Sequence, residues 1–139
     1  MSNNREQLME DLSINFFAMF RTLRNDLGKI FEGYIPLNEF LVLRVLGKNE
    51  KEMVSRVASE LHVSNSHITA VSEKLIKKEF VTRSRSTTDR RVVYLEITEK
   101  GKELVAEMER QKKIYLKQKF STLSDSEIEA MISISSKLM

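Results

Sequence analysis

Apolar residues in the first quarter of the chain recur every three or four positions: Leu8, Leu12, Phe16, Met19, Phe20, Leu23, Leu27, Ile30 and Phe31. That period predicts one long helix from about Arg5 to Gly33, ended by Gly33 and Pro36. Ile14 and Phe17 lie outside the narrow seam, so the stripe is wide. A helix carrying such a stripe needs cover, either from the C-terminal segment or from a second subunit. A shorter helix is expected over Leu37–Leu46, with Phe40, Leu41, Leu43 and Leu46 inward and Gly47 as its stop. After the charged run Lys48–Glu52, Met53-Val54 offers a short strand. Ser55 is the expected cap of a third helix through about Leu61, with Val57, Ala58 and Leu61 inward. His62-Val63 makes a turn, and Ser64 is a good N-cap for a fourth helix, Asn65 to about Lys78.

The pattern then changes. Val81–Ser86 and Val92–Thr98 are rich in β-branched residues and predict two strands, joined by the polar turn Ser86-Thr87-Thr88-Asp89-Arg90. Thr98-Glu99-Lys100-Gly101 opens a long polar helix to about Lys119, with Leu104, Met108, Ile114 and Tyr115 as apolar contacts. Ser124 with Glu127 three residues on predicts a capping box for a last helix, whose apolar side is Ile128, Met131, Ile132 and Leu138.

Composition narrows the function more than the fold. With 139 residues, 41% hydrophobic and 31% charged, the chain is long enough for one core without staples. It contains no cysteine, which excludes disulfides, thiolate metal sites and thiol redox sensing. Two histidines are too few to predict a metal centre. The four glycines form no phosphate-binding loop, and neither HExxH nor GxSxG occurs, so no enzymatic activity and no cofactor is expected. No apolar stretch is long enough for a signal peptide or a membrane span; a cytoplasmic protein without membrane partners is expected.

Net charge is only +3, but it is concentrated. Between His62 and Arg91 lie seven basic residues against three acidic ones, whereas Met1–Tyr34 has four against five. A basic focus on the helix-plus-hairpin segment points to nucleic acid. The fourth helix should bury Ile68, Val71 and Leu75 and expose Ser66, Ala70, Glu73 and Lys77, with His67, Thr69 and Lys74 on the flanks. Small polar side chains let a helix enter a major groove, where Ser, Asn, Thr and His bond base edges and Ala70 meets a thymine methyl. Lys74 and Lys77 suit phosphates. The third helix and the short turn give helix-turn-helix spacing. Arg85, Arg90 and Arg91 flank the hairpin turn, and Asp89, two residues before Arg91, can hold an arginine extended towards a narrow minor groove. The plainer alternative is a solvated helix face and a local ion pair of little energy. Helix-turn-helix and basic hairpin together favour the first.

The run VASELHVSNSHITAVSEKLIKKEFVTRSRSTTDRRVVYLEITEKGKEL resembles the core of the MarR (multiple-antibiotic-resistance regulator) family across about Met53–Leu104. The resemblance rests on "ASEL", "VSNSHIT", "KLIKKEFVTR" and "DRR…LEITEKG"; the flanking helices match by position and pattern only. It implies a mainly α fold with a small antiparallel β wing, a winged helix-turn-helix with N- and C-terminal dimerisation helices. One domain would span 1–139, its DNA-binding lobe about 37–98 and its dimerisation helices about 5–33 and 99–139. It implies a homodimer that binds double-stranded DNA at a pseudo-palindromic site and regulates transcription, as a repressor or a modulator. Ser64, Asn65, Ser66, His67, Thr69, Ala70, Lys74 and Lys77 would supply the recognition helix. Arg83, Arg85, Asp89, Arg90 and Arg91 would supply the wing, with Arg91 as the minor-groove arginine. Many members bind a small aromatic ligand between lobe and dimer helices; Phe16, Phe17, Phe20, Phe31, Tyr34 and Tyr115 are the candidates here, although an aromatic stripe at helical spacing more often fills a core. Glu79 stands where the family usually has glycine, so a modified turn before Phe80 is expected. Two other functions compete: a winged-helix dimer that docks proteins through its acidic first helix, and a sequence-indifferent architectural DNA binder.

Overall fold

The computed structural model describes residues 2–139. The elements are α1 (Ser2–Ile30), a 3-10 turn (Phe31–Gly33), α2 (Leu37–Asn49), β1 (Lys51–Met53), α3 (Val54–Leu61), α4 (Asn65–Lys77), β2 (Val81–Arg85), β3 (Val93–Ile97), α5 (Glu99–Lys119) and α6 (Asp125–Lys137). The three strands form an antiparallel sheet in the order β1-β3-β2. The β2–β3 hairpin projects from it as the expected wing.

The core lies where α2, α3, α4 and the sheet converge. Phe40, Leu43, Leu46, Val57, Ile68, Leu75, Val81 and Leu95 are essentially inaccessible there. α1 joins this core only through its C-terminal end: Phe31 is buried against Phe40, with ring centroids 4.9 Å apart, and Leu27 and Ile30 pack beside them. From α5 the core takes Met108, with Leu104 and Val105 at its edge. Asp26 near the end of α1 also meets Tyr115 and Lys119 of α5, whereas the N-terminal part of the helix leaves Leu8, Leu12, Phe16, Phe17 and Phe20 exposed. α6 buries no residue at all among those described.

Capping explains the starts of the later helices. The Ser64 hydroxyl accepts from His67 N, the Thr98 hydroxyl from Gly101 N, and Ser124 with Glu127 forms the full capping box. Several boundaries depart from expectation. α3 begins at Val54 after Met53, without a side-chain cap, because β1 pairing already fixes the extended residue before it; Ser55 lies inside the helix. Gly47 does not stop α2, which runs on to Asn49 and closes at Glu50 with φ 62°. α1 loses its α-helical form at Ile30, three residues before Gly33, and finishes as the 3-10 turn. Leu41 faces outward, not inward: it sits between the buried Phe40 and Val42, off the stripe that the core covers.

The turn before Phe80 is not modified. Glu79 keeps the left-handed conformation at φ 69°. Glu79 N donates to Ile76 O and Phe80 N to Leu75 O, the paired bonds of a Schellman stop. The α3–α4 turn uses the same device on His62, at φ 57°, with His62 N donating to Ser59 O and Val63 N to Ala58 O. Here the satisfied helix-end carbonyls outweigh a left-handed cost on the order of 1 kcal/mol.

Candidate nucleic-acid interface

α4 shows one solvent face to the outside. Ile68, Val71, Ser72 and Leu75 are buried, while Asn65, Ser66, His67, Thr69, Ala70, Lys74 and Lys77 are exposed. Its first turn is rigid. Ser64 Oγ caps His67 N at 3.1 Å and lies 3.1 Å from Ser66 Oγ, and the Thr69 hydroxyl donates back to Asn65 O at 3.0 Å. Ser64 is thus occupied as a cap, and Thr69 presents its methyl and a lone pair. Ser66 shares its hydroxyl with Ser64, and Asn65, His67 and Ala70 are the other small or polar groups that this surface exposes.

The wing tip is held by its own side chains. Ser86 Oγ accepts from Thr88 N and Asp89 N, each at 3.2 Å. Asp89 Oδ1 accepts from Arg91 N at 3.0 Å and from Arg91 Nε at 3.2 Å, and Oδ2 lies 3.4 Å from Arg91 Nη2. The Arg91 side chain and, to a smaller degree, its backbone N–H hold the Asp89 carboxyl below the usual carboxylate range. Arg91 remains 91% exposed in its side chain, so Asp89 fixes its direction without removing it from solvent. Arg85 does something different: its Nη1 donates to Arg90 O at 2.6 Å, bracing the tip. Arg90 is exposed at the turn. Arg83 reaches back from the hairpin stem to α4, with Nη1 2.5 Å from Glu73 Oε1. The structure therefore brings the predicted α4 and wing residues onto one lobe, in two clusters linked by the Arg83–Glu73 pair.

One determinant of this lobe had no expected role. Glu39 on α2 is 2% exposed, and its Oε1 receives Lys78 Nζ at 2.7 Å. The pair ties the C-terminal end of α4 to α2, and Lys100 Nζ donates to the Lys78 carbonyl at 3.3 Å. The available signal was spacing: Glu39, Leu43 and Leu46 fall at i, i+4 and i+7, placing an acid on the apolar stripe.

The aromatic candidates do not share one environment. Phe16 and Phe20 stack edge-on at 5.0 Å on the exposed face of α1, near Phe17. Phe31 is core. The Tyr34 hydroxyl donates to Glu107 Oε1 at 3.1 Å, and the Tyr115 hydroxyl to Asp26 Oδ2 at 2.5 Å. Burial and then the Asp26 bond push the Tyr115 phenol up to about 12. Glu107 also receives Arg110 and Gln111, and these bonds, Arg110 first, bring its carboxyl down to about 2. Tyr34 thus straps the connection between α1 and α2 to α5, and Tyr115 straps α5 to the C-terminal part of α1.

Residues 32–108 match the family model described as transcriptional regulator SarA/Rot. An uncharacterised HTH-type transcriptional regulator of Bacillus subtilis, YpoP, is 36% identical, over 96% of this chain and 95% of its own. The structure of Streptococcus pneumoniae FabT in complex with DNA superposes with a TM-score of 0.83 at 25% identity, covering 94% of each chain. A MarR family protein from Bacillus stearothermophilus superposes with a TM-score of 0.82 at 22% identity, over 96% of this chain and 94% of its own, and shows the same fold. With the capped α4, the braced wing and these matches in hand, the chain belongs to the SarA/Rot family of transcriptional regulators.

Proposed function

We propose that this regulator works as a cytoplasmic homodimer on duplex DNA. Each α4 enters a major groove and each wing reaches the adjoining minor groove, at a pseudo-palindromic site whose half-sites lie about one helical turn apart. The observation that carries this is the pairing, on one lobe, of a rigid α4 with an exposed small polar first half and an arginine held outward by Asp89. Ser66, His67, Thr69 and Ala70 read bases, Lys74 and Lys77 hold phosphates, and Arg91 probes the minor groove. The lobe is about residues 37–98. Helices about 5–33 and 99–139 form the dimer, which accounts for the exposed Leu8, Leu12, Phe17, Ile132 and Ile134. Two lobes at fixed spacing match a two-fold site, and occupancy of a promoter by such a dimer represses it.

Arg91→Ala tests the wing. It should weaken operator binding about tenfold or more, since each half-site loses an inserted arginine. The melting temperature should stay put because Arg91 touches only the exposed turn. Unchanged affinity in a gel-shift titration removes Arg91 from the interface. Ser66 and His67 substitutions should change which sequence is preferred, whereas Lys77→Ala should weaken all sequences alike and lower the salt slope.

A further inference from the structure

We infer that Glu73 is a positioning residue for DNA binding: through its ion pair with Arg83 it holds that guanidinium at the flank of α4, set to meet a phosphate. This deepens the DNA-binding role proposed above and rests on it.

Glu73 is out of place on a surface that meets a polyanion. It shares the outward stripe of α4 with Ser66, Ala70 and Lys77, and it is the one acid in that helix. Taken alone, it would repel DNA. Its environment gives it another task. In the β2–β3 ladder Val81 pairs with Ile97 and Arg83 with Leu95, and paired residues project to the same side of a sheet. Val81, Leu95 and Ile97 are buried, so Arg83 rises from the helix-facing side of the hairpin, at the margin of the core. Its head then meets Glu73 at 2.5 Å, ten residues back in the chain. Both side chains stay about half exposed, at 49% and 46%. The pair therefore lies at the surface, in the cleft where α4 and the wing stem come together.

A guanidinium carries five N–H donors in a fixed fork. Glu73 engages one through Nη1, which leaves donors for a second anion. An unrestrained arginine must lose rotamer freedom when it meets a phosphate; one already held by an acid loses much less. Lys74 and Lys77, exposed next to Glu73 and one turn after it, supply the positive field that offsets its charge. Glu73 thus trades a small repulsion for a fixed Arg83, and it couples the angle of the wing stem to the recognition helix.

The two effects have opposite signs, and that makes the inference decidable. By charge alone, removing an acid beside DNA tightens binding. By positioning, removing Glu73 loosens Arg83 and weakens it. The test uses the full-length protein and the highest-affinity duplex that the wild type selects from genomic fragments. Affinity is measured from low to high salt for wild type, Glu73→Ala, Glu73→Gln, Arg83→Ala and the Glu73→Ala/Arg83→Ala double variant. A half-exposed pair gives a coupling equivalent to about threefold per half-site, so about tenfold on a two-half-site duplex. Glu73→Ala should weaken binding by that factor, with Glu73→Gln between it and wild type. Arg83→Ala should lower the salt slope by about 2 for two lost phosphate contacts. In the Arg83→Ala background, Glu73→Ala should leave affinity unchanged or raise it. An unchanged melting temperature in Glu73→Ala distinguishes positioning from a merely structural strap, which would lower it, and the reversal in the Arg83→Ala background shows that Glu73 acts through Arg83. Tighter binding by Glu73→Ala with Arg83 present, or equal effects in both backgrounds, would overturn the inference. A wild type that binds no duplex at all is a separate outcome: it removes the DNA-binding role itself and the inference with it.

Discussion

Gly101 should be the least replaceable small residue in the chain, and the reason is tertiary. It lies at the third position of α5, where alanine is intrinsically the better helix former by about 1 kcal/mol. Propensity alone therefore predicts that Gly101→Ala stabilises. A Cβ built there would sit 2.4 Å from the Phe80 carbonyl oxygen and 2.8 Å from Ile97 Cγ1. Neither neighbour can yield freely. The Phe80 carbonyl accepts Thr98 N at 3.0 Å, in the joint that seats α5 on the sheet, and Ile97 is 5% exposed in the core. Relief requires α5 to move off the joint, with an overpacking cost of about 2–3 kcal/mol even after the propensity gain is offset. For a chain of this size that lowers the melting temperature by roughly 7–10 °C. Gly47→Ala is the matched control: it also lies within a helix, and its Cβ would meet only Val105 and Ile97 side-chain atoms at 3.7 and 3.9 Å. It should raise the melting temperature by about 2–4 °C through helix propensity. Both variants are compared by calorimetry with wild type at one protein concentration, since association shifts the midpoint. A Gly101→Ala protein as stable as wild type would refute the close approach of α5 to Phe80.

Two further outcomes follow from the same structure. Glu79→Gly removes a left-handed residue bearing a Cβ, and its side chain gives up only an exposed 3.7 Å contact with Lys100; chemical denaturation should show a gain of about 0.5–1 kcal/mol, and a loss would show that the carboxylate contributes more than the strain costs. Glu107 has its carboxyl depressed to about 2 from 4.5 by Arg110, Gln111 and Tyr34; a depressed acid stabilises the fold above its unfolded value and loses that contribution as pH falls towards the folded one. The acid limb of wild-type stability should therefore steepen between about pH 4.5 and 2, and Glu107→Gln should flatten it in that window; identical acid limbs would separate Glu107 from the Tyr34 strap.

Local chemistry made much of the lobe legible in advance. Ser64, Thr98 and the Ser124–Glu127 box each start a helix because a side-chain oxygen meets a backbone N–H three residues on, a contact that spacing alone encodes. The hairpin and the Asp89–Arg91 brace are likewise contained within a few residues. What stayed hidden depends on partners distant in the chain. Met53 replaced Ser55 as the start of α3 because β1 pairs with β3, some forty residues later. Glu79 kept its left-handed turn because Thr98 is seated over it: the Thr98 hydroxyl donates to Glu79 O at 2.8 Å, and the neighbouring Phe80 carbonyl accepts Thr98 N. Glu39 and Glu73 read as ordinary acids on helix faces until Lys78 and Arg83 are brought against them. Arg85, expected among the DNA-binding residues of the wing, spends its Nη1 donor on the wing's own backbone. The aromatic set was defined by helical spacing, which does not distinguish the buried Phe31 from the exposed Phe20.

Two copies of this lobe are proposed to read one two-fold DNA site. Selection of genomic fragments by the purified protein, followed by sequencing of the bound pool, tests it most directly. The bound pool should be enriched in a single inverted repeat with half-site centres about 10 base pairs apart, flanked by positions that favour a narrow minor groove. A pool without a shared motif, or one enriched only in an isolated half-site, would contradict it.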